Sequence, residues 1–402
     1  MKSISDLSWL RRAMGKEGFV VGFLCVGFIV LNALPVVFRC PPLPSAFFGE
    51  NPDLQEPGCL FLTLVIAGLI LIVAHLDREE RPWKAVRFTG FVLFAALLTD
   101  IHAHTVDLFH LDWQWEQYKG VLRHTYQPPD QYRFLSQGTL WWLLLSNGSF
   151  IFSYLAYRFF FTFLLCQAIY KFARLYIDPL QAMLVVLLYA AFYPLSTRYY
   201  YGNLCDPTSH AVMLIALIYC QRRKFWPVFW LLVLGTFIKE TMLLIAPCWL
   251  LLDSETPPHR NYRGLLRVAA LLFAGIAVFA ACRLPFHFNY DFKTLNRTEE
   301  LMIWSNLGLA RARFGSTIPL YWRYLHPVLF LFMWLPVIVW RRKLLPPTLF
   351  RTAVYLSAAF YLTNLCFGWN HESRNFVPGL VVLLVCTAVV LVPLVPLTAR
   401  TE

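Results

Sequence analysis

The sequence predicts an all-α protein embedded in a membrane that it crosses about twelve times. Of its 402 residues, 58% are hydrophobic and only 14% are charged, which is more apolar than soluble domains are as a rule. Apolar runs of about twenty residues recur along the whole chain, and no segment of the size of a soluble domain separates them. Short basic loops alternate with these runs and supply a topological signal.

The predicted spans begin with residues 18–38. This run follows Arg11, Arg12 and Lys16 and has no small-residue cleavage site after it, so we expect a retained span and not a signal peptide. The chain is then expected to cross at residues 59–76, 88–104, 150–170, 180–195, 209–220, 225–238, 241–252, 267–284, 317–340, 347–367 and 376–395. The short spans between 209 and 252 are compatible with tilted or partly re-entrant segments.

The basic residues assign one set of loops to the inner side of the membrane. They cluster at residues 78–87, 222–224, 260–267 and 341–343, and the positive-inside rule makes such loops cytoplasmic. Both termini then lie inside. Anionic lipid headgroups account for the net charge of +12, and no groove-reading motif indicates nucleic-acid binding.

The polar and aromatic clusters fall in the loops of the other side, namely residues 50–56, 107–135, 198–206, 239–240, 287–313 and 369–374. The segment from Ser136 to Ser146 is too short to span and carries Trp141 and Trp142, which predicts an interfacial helix on the outer leaflet. Because no repeat divides the chain, we treat residues 1–402 as one integral domain and residues 105–149 as its exterior functional loop.

Carboxylates in the 105–149 loop are candidates for general-base chemistry. Asp112 and Glu116 are four residues apart, so a helical turn would place them on one face with Tyr118 nearby. Partial desolvation at a membrane boundary raises the pKa of a carboxylate and suits it to accept a proton. The alternative is that these acids, together with Asp107 and Asp130, are only solvated loop residues.

The histidines of this region allow a metal hypothesis. His102 and His104, with Asp107 and His110, could bind zinc if the backbone were extended, because residues two apart do not share a helix face. Interfacial hydrogen bonding is the commoner role of such a pair. We therefore expect no cofactor, with a divalent ion left open.

The ten cysteines are scattered and show no metal-type spacing. Several lie inside apolar runs and are expected to behave as small buried hydrophobes, among them Cys25, Cys166, Cys220 and Cys386. Cys40 and Cys59 bracket one exterior loop and could pair.

Three cations interrupt the apolar sequence on the predicted outer side. Arg133 precedes the interfacial helix and could fork onto a phosphate, or it could snorkel to headgroups. Lys239 and Glu240 separate two short apolar segments, which favours a cavity over a simple hairpin turn. Arg374 could bind phosphate while Glu372 orients it, or the two could form an ordinary ion pair at a helix start.

The order of these residues resembles the GT-C superfamily of polytopic glycosyltransferases. An acid follows a span, a tyrosine and Tyr132-Arg133-Phe134-Leu135 precede an interfacial helix, and a Lys-Glu pair and a Glu-x-Arg motif come later. The chain is especially similar to bacterial members such as the aminoarabinose, mannosyl and rhizobial lipopolysaccharide transferases. The resemblance covers the sequence from about residue 88 onward.

The resemblance implies that a sugar moves, with inversion, from a polyprenyl-phosphate donor to a glycan, lipid or protein acceptor at the outer face of a bacterial inner membrane. Asp112 would be the general base, with Glu116 beside it in the catalytic loop. Cationic residues would bind the donor phosphate, namely Arg133, Lys239 and Arg374. Other polar residues would contact the substrates, namely Tyr118, Tyr132, Glu240 and Glu372.

One feature departs from the family pattern. The catalytic acid of better-known members follows the first span, whereas Asp112 follows the third predicted span, so two further spans come before that one. Either residues 1–87 are an N-terminal two-helix addition, or the catalytic loop is 39–58 and the acid is Asp53 or Glu50. We prefer the first interpretation, because residues 39–58 lack the tyrosine and arginine that follow Asp112.

A transporter or flippase of a lipid-linked or anionic substrate is the alternative function. Such a protein would also be polytopic, but it would carry its charges near the membrane midplane on broken helices. The predicted charges lie on one side of the membrane, which favours chemistry at the surface.

Overall fold

The computed structural model describes residues 8–37, 82–102, 111–125, 132–197, 204–253, 261–284, 333–367 and 373–391. This part of the chain is entirely helical, which confirms the predicted all-α class. In chain order its α-helices are α1 (Ser8–Val37), α2 (Pro82–His102), α3 (Leu111–Leu122), α4 (Phe134–Asn147), α5 (Phe150–Ala173), α6 (Pro179–Thr197), α7 (Cys205–Gln221), α8 (Phe225–Ile238), α9 (Cys248–Leu251), α10 (Tyr262–Ala281), α11 (Leu335–Trp340), α12 (Pro347–Phe367) and α13 (Val377–Leu391).

Three 3₁₀ helices join the described α-helices, at Glu240–Ile245, Arg342–Leu344 and Ser373–Phe376. The first of them changes one predicted span. Residues 241–252 do not form one helix: Glu240–Ile245 is a 3₁₀ helix, and the single turn of α9 follows Pro247. Pro247 has no N–H to donate, so the hydrogen-bond ladder is interrupted there, although Ala246 and Pro247 both keep right-handed helical backbone.

Two described helices, α5 and α10, are long and apolar enough to cross a membrane by length and composition. Shorter apolar segments include Phe225–Ile238 and Val377–Leu391. The predicted span at 59–76 and the cysteine pair Cys40–Cys59 lie outside the described residues.

Helices α5, α7 and α8 form the centre of the bundle. Helices α5 and α7 run parallel, because Tyr157 bonds to Thr208 near their N-terminal ends (2.6 Å) and Tyr176 bonds to Gln221 near their C-terminal ends (3.2 Å). Helix α8 returns antiparallel to α7 after a tight turn at Arg223, whose φ is 57°. We call the end that holds the N-terminus of α7 the Lys239 end, and the opposite end the Arg223 end.

The helices around this centre differ in what they bury. Every residue of α13 from Val377 to Val390 is buried, as expected of a helix that is apolar on all sides. Helix α10 instead exposes large apolar side chains such as Phe273 (77%) and Ile276 (56%). The four cysteines predicted to be buried hydrophobes, Cys25, Cys166, Cys220 and Cys386, are indeed buried and free of disulfides.

Helices α3 and α4 belong to the predicted exterior loop. Helix α4 contains the expected segment from Ser136 to Ser146 and buries its N-terminal half, while Trp142 and Leu145 are exposed. Its position at a membrane surface stays a prediction. Helix α3 packs Trp115 against Phe150, the first residue of α5, so it lies at the Lys239 end.

Two glycines allow the 3₁₀ helix Glu240–Ile245 to pack closely between α8 and α10. A Cβ atom at Gly235 of α8 would lie 2.5 Å from the side chain of Met242, and one at Gly275 of α10 would collide with Leu243. The absence of side chains at these positions therefore lets the helix that starts at Glu240 lie against both neighbours.

The Arg223 end is held together by a second polar network. Arg223 donates to the carboxylate of Asp253 (2.7 Å) and to the backbone carbonyl of Trp249 (2.5 Å). The guanidinium groups of Arg223 and Arg267 lie 4.4 Å and 5.4 Å from the Trp249 ring centre. Asn261 also donates to Asp253. Part of the basic 222–224 and 260–267 clusters thus ties α7, α9 and α10 together.

Helix α1 packs on α8 through a pair of glycines four residues apart. A Cβ atom at Gly18 would lie 2.6 Å from Trp226, and one at Gly22 would lie 2.5 Å from Trp230. Small residues at this spacing let two helix backbones approach closely. Further along the same helix, Gly27 has nothing within 4 Å of its Cβ position.

This contrast predicts opposite effects of the same substitution. Gly22→Ala should destabilise the protein by about 1–3 kcal/mol, because the new methyl group overlaps Trp230. Gly27→Ala should be neutral or stabilise by up to about 1 kcal/mol, because alanine is the better helix former and meets no obstacle. Unfolding in detergent micelles measures both. Equal effects would contradict the close packing of α1 on α8.

Candidate functional site

Lys239 lies at the centre of a buried polar network. Helix α8 ends at Ile238, and Lys239 is extended (φ −158°, ψ 129°), which turns its side chain away from the helix axis. The ammonium group donates to Asp206 of α7 at 2.7 Å and to the side-chain carbonyl of Asn375 at 2.9 Å. Asn375 in turn donates to Asn364 of α12 at 3.0 Å. One ammonium group therefore connects four separate parts of the chain.

The local structure favours both charges of this pair. Asp206 stands in the first turn of α7, where the helix dipole stabilises an anion, and Lys239 follows the last turn of α8, where it stabilises a cation. The side chains are only 8% and 4% exposed. Because water hardly reaches them, each charge depends on the other and on the asparagines for its solvation.

A second ion pair begins at the next residue. Arg133, which precedes α4, donates from Nη2 to Glu240 Oε1 at 2.5 Å and from Nε to Oε2 at 3.3 Å. Burial of Glu240 would raise the pKa of its carboxyl, but the charge and hydrogen bonds of Arg133 outweigh burial and lower the pKa to about 2. The carboxylate is surrounded by protein on one side, yet 34% of the Glu240 side chain remains accessible.

Neighbouring contacts bring α4, α5 and α10 to the same place. The Tyr157 hydroxyl of α5 bonds to Ser136 of α4 (3.0 Å) as well as to Thr208 of α7. After the last turn of α10, the Arg283 guanidinium lies 4.3 Å from the ring centre of Tyr132. The Lys239 end thus gathers cationic, anionic and hydroxyl groups from helices throughout the described chain.

The structure brings together some of the site residues predicted from the sequence. Arg133 and Glu240 are in contact, and Lys239 and Tyr132 lie next to them in the chain and at the same end of the bundle. Arg374 directly precedes Asn375, the partner of Lys239, although the Arg374 side chain is outside the described part of the structure.

The remaining predicted residues lie around α3 or outside the description. Glu116 is exposed and pairs with Lys119 at 2.5 Å. Tyr118 is fully buried, stacked on Trp115 and close to Phe150. Asp112 belongs to the first turn of α3, but its side chain is outside the described residues.

Other candidates fall partly or wholly outside the structure. These are Glu372, Glu50 and Asp53, and three of the four residues of the zinc hypothesis, namely His104, Asp107 and His110. The fourth, His102, is buried at the end of α2. Within the described ranges, no three His, Cys, Asp or Glu side chains come together in a way that could hold a metal ion.

Sequence reasoning missed Asp206, Asn364 and Asn375 as members of the site. Asp206 ends the predicted exterior cluster 198–206 and is followed by Pro207, a residue typical of a helix start. This sequence signal places an acidic residue in the first turn of a helix, but it does not indicate that Lys239 is its partner. The asparagines carry no charge and stood out less from the apolar sequence around them.

Comparison with protein-family models, with curated proteins and with solved structures finds no match for this chain. The resemblance to the GT-C superfamily therefore rests on the sequence motifs alone.

The buried pair between Asp206 and Lys239 predicts strong energetic coupling. Asp206→Asn or Lys239→Met should each cost about 3–5 kcal/mol of stability, because each leaves an uncompensated buried charge. The double variant should cost clearly less than the sum, since it removes both charges. Unfolding in detergent micelles measures this cycle. The matched control is the exposed pair Glu116–Lys119, for which we expect about 1 kcal/mol or less. Additive effects of the two buried substitutions would contradict the pairing.

The Arg133–Glu240 pair predicts a pH dependence with a defined sign. The folded pKa of Glu240, about 2, lies below its ordinary value of 4.5, so the pair stabilises the protein fully above about pH 4.5 and loses its effect as the pH falls towards 2. Glu240→Gln should therefore be less stable than the unmodified protein near neutral pH, and the difference should shrink below pH 4.5. A difference that stays constant with pH would show that this ionisation does not contribute.

Proposed function

We propose that this chain is a polytopic membrane glycosyltransferase that moves a sugar from a polyprenyl-phosphate donor to a glycan, lipid or protein acceptor at the outer face of a bacterial inner membrane. The observation that supports it most is the assembly at the Lys239 end. Arg133 and the pair Lys239–Glu240, chosen from the sequence as substrate-contacting groups, meet there beside the turn that contains Arg374.

The membrane part of the proposal has its own support. Helices α5 and α10 have the length and composition of membrane spans, and α10 turns a broad apolar surface outward. A large exposed apolar surface is typical of contact with lipid or with another protein. We retain about twelve crossings as the proposed topology, with the Arg223 end inside and the Lys239 end outside.

The proposed reaction fits the chemistry of the site residues. An acceptor hydroxyl attacks the anomeric carbon, Asp112 takes its proton, and the bond between that carbon and the phosphate oxygen breaks with its electron pair on the phosphate. The leaving group is an anionic lipid phosphate, so fixed cations beside it lower the barrier. We assign this role to Arg133, Lys239 and Arg374.

Positive charge reaches the Lys239 end from several helices. Arg133 and Lys239 pair with Glu240 and Asp206, and Arg283 brings a further guanidinium beside Tyr132. We propose that Glu240 and Glu372 contact the sugar or acceptor and that Glu116 supports Asp112. Tyr118 and Tyr132, predicted from the sequence as substrate contacts, are buried and would instead position the residues around them. No cofactor is part of this proposal.

One observation favours the transporter or flippase as a second candidate. Helix α8 ends at the charged pair Lys239–Glu240, and the chain continues as a 3₁₀ helix and the single turn of α9. Transporters of several folds place substrate-binding charges on such broken helices. Movement of a lipid-linked substrate across a vesicle membrane without cleavage of its phosphate–sugar bond would favour this candidate.

The proposed topology predicts that residues 120 and 370 face the outside. A single cysteine at either position, in a chain without its ten native cysteines, should react in intact cells with a reagent that does not cross the membrane. A cysteine at Lys224 should react only after the cells are opened. Protection of position 120 or 370 in intact cells would contradict the orientation on which the proposed reaction depends.

The general-base role predicts that Asp112→Asn lowers sugar transfer by about 10²–10⁴-fold, because asparagine keeps the shape of the side chain but cannot accept the proton. Release of polyprenyl phosphate by the protein in liposomes, from a panel of polyprenyl-phosphate hexoses and pentoses, measures the rate. Asp107→Asn and Asp130→Asn are the matched controls from the same loop and should remain active. An active Asp112→Asn together with an inactive Asp53→Asn would move the site to the 39–58 loop.

A further inference from the structure

The two ion pairs at the Lys239 end differ in how firmly they are held. Lys239 and Asp206 are 4% and 8% exposed, and the ammonium group is also bound by Asn375. Arg133 and Glu240 are 12% and 34% exposed. The carboxylate of Glu240 is therefore the member of this network with the readiest access to the exterior.

This difference decides which pair can open. Separating Lys239 from Asp206 would leave two charges with little access to water, which costs several kcal/mol. Glu240 can instead turn towards water when it leaves Arg133, and pairs with such access are worth much less. Opening is therefore far cheaper at the second pair.

The group that Glu240 would leave behind suits a phosphate. Arg133 presents Nε and Nη2 to the two carboxylate oxygens, and this edge of a guanidinium can bind two phosphate oxygens in the same way. Arg283 lies against the adjacent Tyr132 and adds positive charge nearby. A phosphate could therefore accept the same two hydrogen bonds from Arg133, in the same positive electrostatic field, that now hold the Glu240 carboxylate.

We propose that the Arg133–Glu240 pair is an exchangeable latch, in which the phosphate of a phosphate-bearing ligand replaces the Glu240 carboxylate on Arg133. The identification of the ligand as a polyprenyl phosphate rests on the proposed function. The exchange itself rests on the difference in exposure between the Asp206–Lys239 and Arg133–Glu240 ion pairs. Glu240 then acts as an internal competitor, because only the open state binds the ligand and the apparent affinity falls with the population of that state.

The exchange predicts that one substitution, Glu240→Gln, increases the affinity for phosphate. Glu240→Gln removes the competing charge while keeping the size of the side chain, so it should bind phosphate about tenfold more tightly although it is less stable. Arg133→Gln should lose most of the binding. A residue that bound the ligand directly, or that only supported the fold, would weaken binding when it was substituted.

Titrations of the protein in detergent micelles, with polyprenyl phosphate and separately with inorganic phosphate, test this directly. Glu17→Gln and Asp178→Asn each remove one carboxylate at the Arg223 end, and we expect no tightening from either. Binding of both ligands would assign recognition to the phosphate itself, and binding of polyprenyl phosphate alone would assign it to the lipid; both support the exchange. No tightening in Glu240→Gln, or equal tightening in the controls, would overturn it.

A second measurement uses the unmodified protein. Carbodiimide labelling of carboxylates, read by mass spectrometry, should modify Glu240 more when polyprenyl phosphate is bound, while labelling of Glu116 stays the same. Unchanged or reduced labelling of Glu240 would overturn the exchange. Neither measurement requires sugar transfer, so the exchange can hold when no transfer is found, and it can fail in a protein that transfers sugar.

Discussion

The described structure depends on one constraint: the adjacent charges of Lys239 and Glu240 must each be paired with an opposite charge. Helix α8 is apolar throughout and ends directly before them; the Lys239 side chain has little access to water, and the Glu240 side chain is 34% exposed. Each charge must find an opposite charge among distant parts of the chain. Asp206 and Arg133 meet this need, and through them α7 and α4 are brought to the end of α8. The glycines at 235 and 275 let the following 3₁₀ helix lie close enough for this arrangement to form.

The two ion pairs that satisfy this constraint have different roles in the site. The Asp206–Lys239 pair is shielded from water and its ammonium group is also bound by Asn375, so it holds helices in place, and in the proposed reaction Lys239 acts on the phosphate through its charge. The Arg133–Glu240 pair is more accessible and, in the proposed exchange, keeps the guanidinium in position while a ligand is absent. A preorganised cation of this kind reduces the reorganisation needed when a negative charge develops, which is what transfer from a lipid phosphate requires.

Sequence reasoning located the helices and part of the site, and its failures have physical causes. Arg133, Lys239 and Glu240 stood out because charges are rare in apolar sequence, whereas their partners depend on packing between residues up to 136 positions apart. Residues 241–252 were predicted as one short span from composition, and the structure builds this segment from a 3₁₀ helix and the single turn of α9 on either side of Pro247, a change of helix type that composition does not reveal. The segment with Asp112 and Glu116 was predicted as part of a loop in which a helical turn was only considered, and the structure forms a twelve-residue helix there that buries Tyr118 fully.

The most direct test of this account is hydrogen–deuterium exchange of Lys239→Met in detergent micelles, read by mass spectrometry for each segment. If Lys239 ties the end of the bundle together, exchange should become faster in three separated segments: 204–209, 362–366 and 373–377. Exchange around Trp249 at the Arg223 end should stay as it is. Faster exchange confined to residues 236–242 would contradict the claim that one ammonium group holds distant helices in place.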